Sequence, residues 1–98
     1  PRKKVNFAVM RYVYCKPGVI SNFCGFEEMH KKGFIKEYFL YKTPGMEIKT
    51  ATTSGDRPAG YLIEASSHGE LIRKSNIVDN ALSIIDNNGD DIMMHNLL

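Results

Sequence analysis

A chain of 98 residues has room for one domain with one modest core. Its hydrophobic content of 43% is that of an ordinary globular chain. The net charge of +2, with three of the basic residues crowded into Arg2-Lys3-Lys4, leaves no basic stripe that would favour nucleic acid.

No apolar run approaches the roughly 18 residues needed to span a bilayer. The basic start leads into strand-like alternation, so no signal-peptide pattern is present. Pro1 in place of Met points to processing or to a piece of a longer chain. Cys15 and Cys24 are too few for a disulfide framework and read as reduced, half-buried thiols of a cytoplasmic protein.

Residues 5–14 alternate with apolar residues on both parities, which predicts a strand covered on both sides. Arg11 shares the Val9 and Val13 parity. Pro17-Gly18 turns the chain into a short strand over 19–23. Gly25 opens a helix over 26–32, with Glu27 and Glu28 in its first turn, Lys31 and Lys32 in its last, and Gly33 to end it. An aromatic-rich strand is expected over 34–41 and, after Pro44-Gly45, an Ile- and Thr-containing strand over 46–53. The segment Ser54-Gly55-Asp56-Arg57-Pro58 reads as an exposed loop before a strand over 59–65.

Ser67 and Glu70 have capping-box spacing at the start of a second helix. Leu71, Val78, Leu82 and Ile85, with Ala81, form its apolar stripe, and Asn87-Asn88-Gly89 is its expected stop. Residues 91–94 read as a last edge strand. The order β-β-α-β-β-β-α-β with short turns predicts an α+β fold: a mostly antiparallel sheet of five to six strands with two helices packed on it.

Sites of self-sufficient chemistry are not evident. Asp86 to Asp91 resembles a calcium loop, but the glycine falls at the fourth position and no glutamate at the twelfth, so a helix end and polar turn are expected instead. His30, His68 and His95 lack metal-ligand spacing. His30 suits a helix C-terminus, and His68 an exposed first helical position. Ser66-Ser67-His68-Gly69 lacks the nucleophile-elbow pattern.

Arg11 stands apart as a cation in an apolar strand. Either it forms a structural ion pair with Glu37, Glu47 or Glu64, or its guanidinium is aimed at a phosphate or carboxylate held by another domain.

In order, the chain carries Ala8-Val9-Met10-Arg11, Pro17-Gly18-Val19-Ile20, Gly25-Phe26-Glu27-Glu28 and a strand over 34–41. Then follow Pro44-Gly45-Met46-Glu47-Ile48, Gly60-Tyr61-Leu62-Ile63 and Ser67-His68-Gly69-Glu70-Leu71. This succession, over about 5–93, resembles the C-terminal domain of ATP-grasp ligases, in particular L-amino-acid and other carboxylate–amine ligases. Biotin carboxylase and phosphoribosylglycinamide synthetase are more distant relatives. Gly69 in the first turn of the second helix departs from the pattern.

The resemblance implies that residues 1–98 are a single domain, a C-terminal fragment of a larger ligase, that closes the active-site cleft and is inactive alone. It implies ATP and magnesium for the intact parent, bound by upstream ATP-grasp lobes of the same chain. It also implies a supporting catalytic role for Arg11, the one candidate site residue. No cofactor or metal ligand is expected in this segment, no nucleic acid or membrane partner is implied, and pairing with a second copy is a further expectation. The alternative is a free-standing binding or oligomerisation module that uses Phe34, Tyr38, Phe39, Tyr41 and Tyr61 as an exposed aromatic sheet face.

Overall fold

A computed structural model describes residues 6–49 and 57–95. The expected Thr-rich end of the fourth strand and most of the loop before Arg57 lie outside the described residues.

The first seven elements follow the expected order: β1 (Phe7–Val13), β2 (Gly18–Cys24), α1 (Phe26–Lys31), β3 (Glu37–Leu40), β4 (Glu47–Ile48), β5 (Ala59–Ala65) and α2 (His68–Ala81); β6 (Ser83–Asp86) lies where the second helix was expected to continue. The fold is α+β and every strand pair is antiparallel. The six strands form two three-stranded sheets, β1-β5-β3 and β4-β2-β6, where the sequence suggested one. β2 pairs with β4 from mid-chain and with β6 from late in the chain, and short turns alone do not reveal such pairing.

In the first sheet, β5 lies between β1 and β3. Val9 faces Ile63, Arg11 faces Tyr61 and Val13 faces Ala59, while Tyr38 of β3 flanks Tyr61 from the other side. This parity is the inner face, since alternate side chains point to opposite sides. Ile63 and Ala59 are fully buried there. α2 lays Leu71, Ser75 and Val78 against it, and α1 buries Phe26 and Met29, with the Phe26 ring 5.9 Å from that of Tyr38.

The outer parity carries Ala8, Met10 and Tyr12 of β1, Leu62 of β5 and Phe39 of β3. Tyr12 and Phe39 are exposed and Met10 and Leu62 half-buried. Among the described residues β1 is therefore covered by helices on one side only, because both go to the inner face. The guanidinium of Arg57 stacks 3.8 Å above the Tyr12 ring.

Local chemistry explains most boundaries. Ser67 caps α2 by accepting from the Glu70 N–H at 3.1 Å, and the Glu70 carboxylate returns to the Ser66 N–H at 2.8 Å. The reciprocal bond thus falls one residue before the cap. α1 starts at Gly25, whose φ of 90° and close approach to the Ala81 carbonyl suit glycine alone; a Cβ there would lie 2.3 Å from that oxygen.

α2 ends sooner than its apolar spacing suggests. Leu82 adopts φ −88° and ψ 145°, and Ser83–Asp86 becomes β6, paired with β2. Leu82, Ile84 and Asp86 are buried with half-buried residues between them, a period of two. Ile85 lies on this strand, not on a helical stripe, and Ala81 is exposed.

The Asn87-Asn88-Gly89 segment accordingly follows a strand instead of stopping a helix. The Asp86 carboxylate accepts from the N–H groups of Asn88 and Asp90, both at 2.9 Å, which folds this turn without a metal. The expected final strand reduces to two isolated bridges, Ile85 with Asp91 and Cys15 with Met93.

Candidate functional site

Arg11 lies where the antiparallel register of β1 and β5 puts it, opposite Tyr61 on the inner face. Glu64 pairs with Ala8 and Glu37 with Leu62, both on the outer parity. Glu47 belongs to the other sheet. The expected ion pair with one of these three is therefore absent among the described residues. The Arg11 Nε is buried and has no hydrogen-bond partner among them. That Nε–H is a buried donor without an acceptor among the described residues.

The surroundings form a depression of about 210 Å³ along β1. Met10 to Tyr14 line it consecutively, which places it at the strand's edge, because consecutive side chains point to opposite faces. Tyr61 forms its inner wall, Asp79 of α2 contributes a carboxylate, and Met93 and Met94 close one end.

Burial pushes the Tyr61 phenol up to about 12, the Asp79 charge pushes in the same direction, and Arg11 opposes both. Tyr61 thus remains a neutral phenol between a cation and a carboxylate. Such a depression can bind an anionic group at Arg11 and pack apolar or aromatic surface against the methionines and tyrosines.

The other candidates fall elsewhere. Cys15 is fully buried, not half-buried, and burial, followed by the charge of Asp91, pushes its thiol up to about 12, so it carries no thiolate chemistry. Cys24 is half-buried and also free. His30 is in the last turn of α1, edge-on to Tyr38, and His68 opens α2 against the Phe7 ring. Among the described residues no group of three or more His, Cys, Asp or Glu side chains is arranged to hold a metal ion. No described helix is long and apolar enough to cross a membrane.

The five aromatics expected to share one exposed face do not. Tyr61 is buried and Tyr38 half-buried on the inner side, whereas Phe39 projects from the outer side.

Sequence reasoning missed His95. Its Nδ1 lies 2.9 Å from the Asp79 carbonyl oxygen and its Nε2 2.9 Å from Asp91 Oδ2. A lone histidine in a polar tail carries no spacing signal, and both partners come from elements whose ends were misplaced in the sequence reading.

Neither a protein-family model nor a curated protein matches the sequence. Among solved structures, the chain is similar to phosphoribosylglycinamide synthetase from Anaerococcus prevotii, with a TM-score of 0.70 and 18% sequence identity. The likeness covers 82% of this chain and 20% of that one, so this chain corresponds to about a fifth of that protein. At this identity the likeness is one of fold: the chain shares the architecture of part of that enzyme.

Proposed function

We propose that this chain is the C-terminal domain of an ATP-dependent carboxylate–amine ligase of the ATP-grasp type, which covers one side of the active-site cleft and is inactive alone. The observation that carries the proposal is the fold likeness to part of phosphoribosylglycinamide synthetase over 82% of the chain.

The outer face of the β1-β5-β3 sheet, with both helices on the opposite side, carries Met10, Tyr12, Phe39 and Leu62 beside Glu37 and Glu64, a mixed surface suited to a neighbouring lobe. That lobe would be the upstream part of the same chain.

ATP and magnesium belong to the parent enzyme. Among the described residues no group of carboxylates is arranged to hold a cation, which does not fit a magnesium site here. The binding of both is assigned to the upstream lobes.

Arg11 is the residue of this domain suited to contact the reacting groups. Its guanidinium, with Nε buried and without a hydrogen-bond partner among the described residues, can donate bidentately to a carboxylate or phosphate in the depression, which Asp79 also lines.

Titration calorimetry of the 98-residue chain with ATP and magnesium tests the assignment of nucleotide binding. No heat of binding is expected. Saturable binding by the isolated chain would overturn the proposal.

A further inference from the structure

We propose that protonated His95 is a pH-controlled clasp that fastens the segment 91–95 against α2 and the end of β1, and so sets one wall of the Arg11 depression.

The geometry carries the inference. Nδ1 faces the Asp79 carbonyl oxygen and Nε2 faces Asp91 Oδ2, each at 2.9 Å. Both partners are acceptors. A neutral imidazole carries one N–H and would turn its remaining lone pair toward an oxygen; only the imidazolium donates at both ends.

The Asp79 carbonyl is one of the last four of α2, which a helix leaves without internal partners. The last turn of α2 contains no basic residue. His95 brings a cation to that negative helix end from the following segment, and its Nδ1 also lies 3.6 Å from Asp79 Oδ2.

Asp91 anchors the other side. Its Oδ1 accepts from the N–H groups of Ile84 and Met93, both at 3.1 Å, while Oδ2 meets His95. Beyond the clasp, the Met94 N–H donates to Tyr14 O and the Lys16 N–H to Ile92 O, both at 2.8 Å. These bonds hold Met93 and Met94 where they close the depression.

Among the described residues, the charged groups facing the imidazole are Asp91 from the turn after β6 and Asp79 from α2. Arg11 of β1 acts on Tyr61 against Asp79.

The electrostatics agree in direction. The hydrogen bond to Asp91 raises the His95 pKa above its ordinary 6.5, although burial opposes it. A raised histidine contributes fully below its unfolded value and loses that contribution as pH rises through its folded one. Burial pushes the Asp91 carboxyl up, but the bonds from His95, Met93 and Ile84 outweigh burial and hold it below its ordinary 3.8. The carboxylate's contribution is therefore present above 3.8 and lost only as pH falls through its folded value. The clasp is closed in mild acid and opens as pH rises through the folded value of His95, which lies above 6.5.

Amide hydrogen exchange by NMR on the 98-residue chain, at about pH 5.5 and about pH 8 and corrected for intrinsic exchange, tests this. The Met94 and Lys16 amides should lose protection about tenfold or more at the higher pH, while the β5 amides shared with β1 and β3 keep theirs. His95→Gln, which donates at one end only, should show the weaker protection at both pH values. A direct titration of the His95 ring supplies the second readout and should give a midpoint above 6.5. Equal protection at both pH values, an undiminished His95→Gln variant, a ring midpoint at or below 6.5, or a loss spread evenly over the β1–β5 pair would each overturn the clasp.

Discussion

Replacing Gly25 by alanine isolates the contact that joins the two helices. Gly25 has φ 90° and precedes α1, and an added Cβ would lie 2.3 Å from Ala81 O and 3.1 Å from Ala81 C. Two costs combine. Placing an L-residue in the left-handed region costs about 1–2 kcal/mol. The clash involves backbone at the end of α2 and cannot be relieved by rotating a side chain. Forcing the α1 and α2 ends apart adds a strain of about 1–3 kcal/mol, typical of overpacking.

Gly33→Ala provides the control, because Gly33 has φ 85° and a Cβ there meets nothing within 4 Å. It bears the torsional cost alone. Urea denaturation monitored by circular dichroism should show Gly25→Ala destabilised by about 2–5 kcal/mol and Gly33→Ala by about 1–2 kcal/mol. For a domain of this size each kcal/mol is worth roughly 4–8 °C in melting temperature. Equal losses in the two variants would refute the close approach of Gly25 to α2.

Other consequences are open to simpler assays. Ser67→Ala removes the acceptor of the Glu70 N–H and should cost about 1 kcal/mol in urea denaturation, whereas Ser67→Asp should retain most of the stability. Ile63→Ala, at a fully buried position between β1 and β3, should cost about 2–5 kcal/mol. Under native conditions a thiol reagent should modify Cys24 well before Cys15, with equal reactivity appearing only in denaturant; rapid native modification of Cys15 would contradict its burial.

The order of the first seven elements was legible because each turn has local chemistry: Pro17-Gly18, Gly25, Pro44-Gly45 and the Ser67 cap act within a few residues. What was not legible depended on distant partners. Leu82 and Ile85 fit a helical stripe, but Leu82, Ile84 and Asp86 fit a strand as well, and pairing with β2 decided between them. The split into two sheets has the same origin.

At the candidate site the sequence singled out Arg11 by the mismatch of a cation in an apolar strand. It left open which acidic residue, if any, would answer that charge. Register settles this against Glu37 and Glu64, which fall on the other face, while Asp79 enters the depression from a helix that starts three residues after β5 ends. His95 was illegible for the same reason as β6, since its acceptors converge only after the chain has folded.

ATP-dependent phosphate release by the full-length parent chain, wild type against Arg11→Ala, over a panel of carboxylate and amine pairs, tests the central claim most directly. The account predicts turnover with at least one pair in the wild type, and its loss in the variant with the fold and ATP binding intact. A parent chain without ATP-dependent turnover on any pair would contradict the ligase reading, and unchanged turnover in Arg11→Ala would remove Arg11 from the active site.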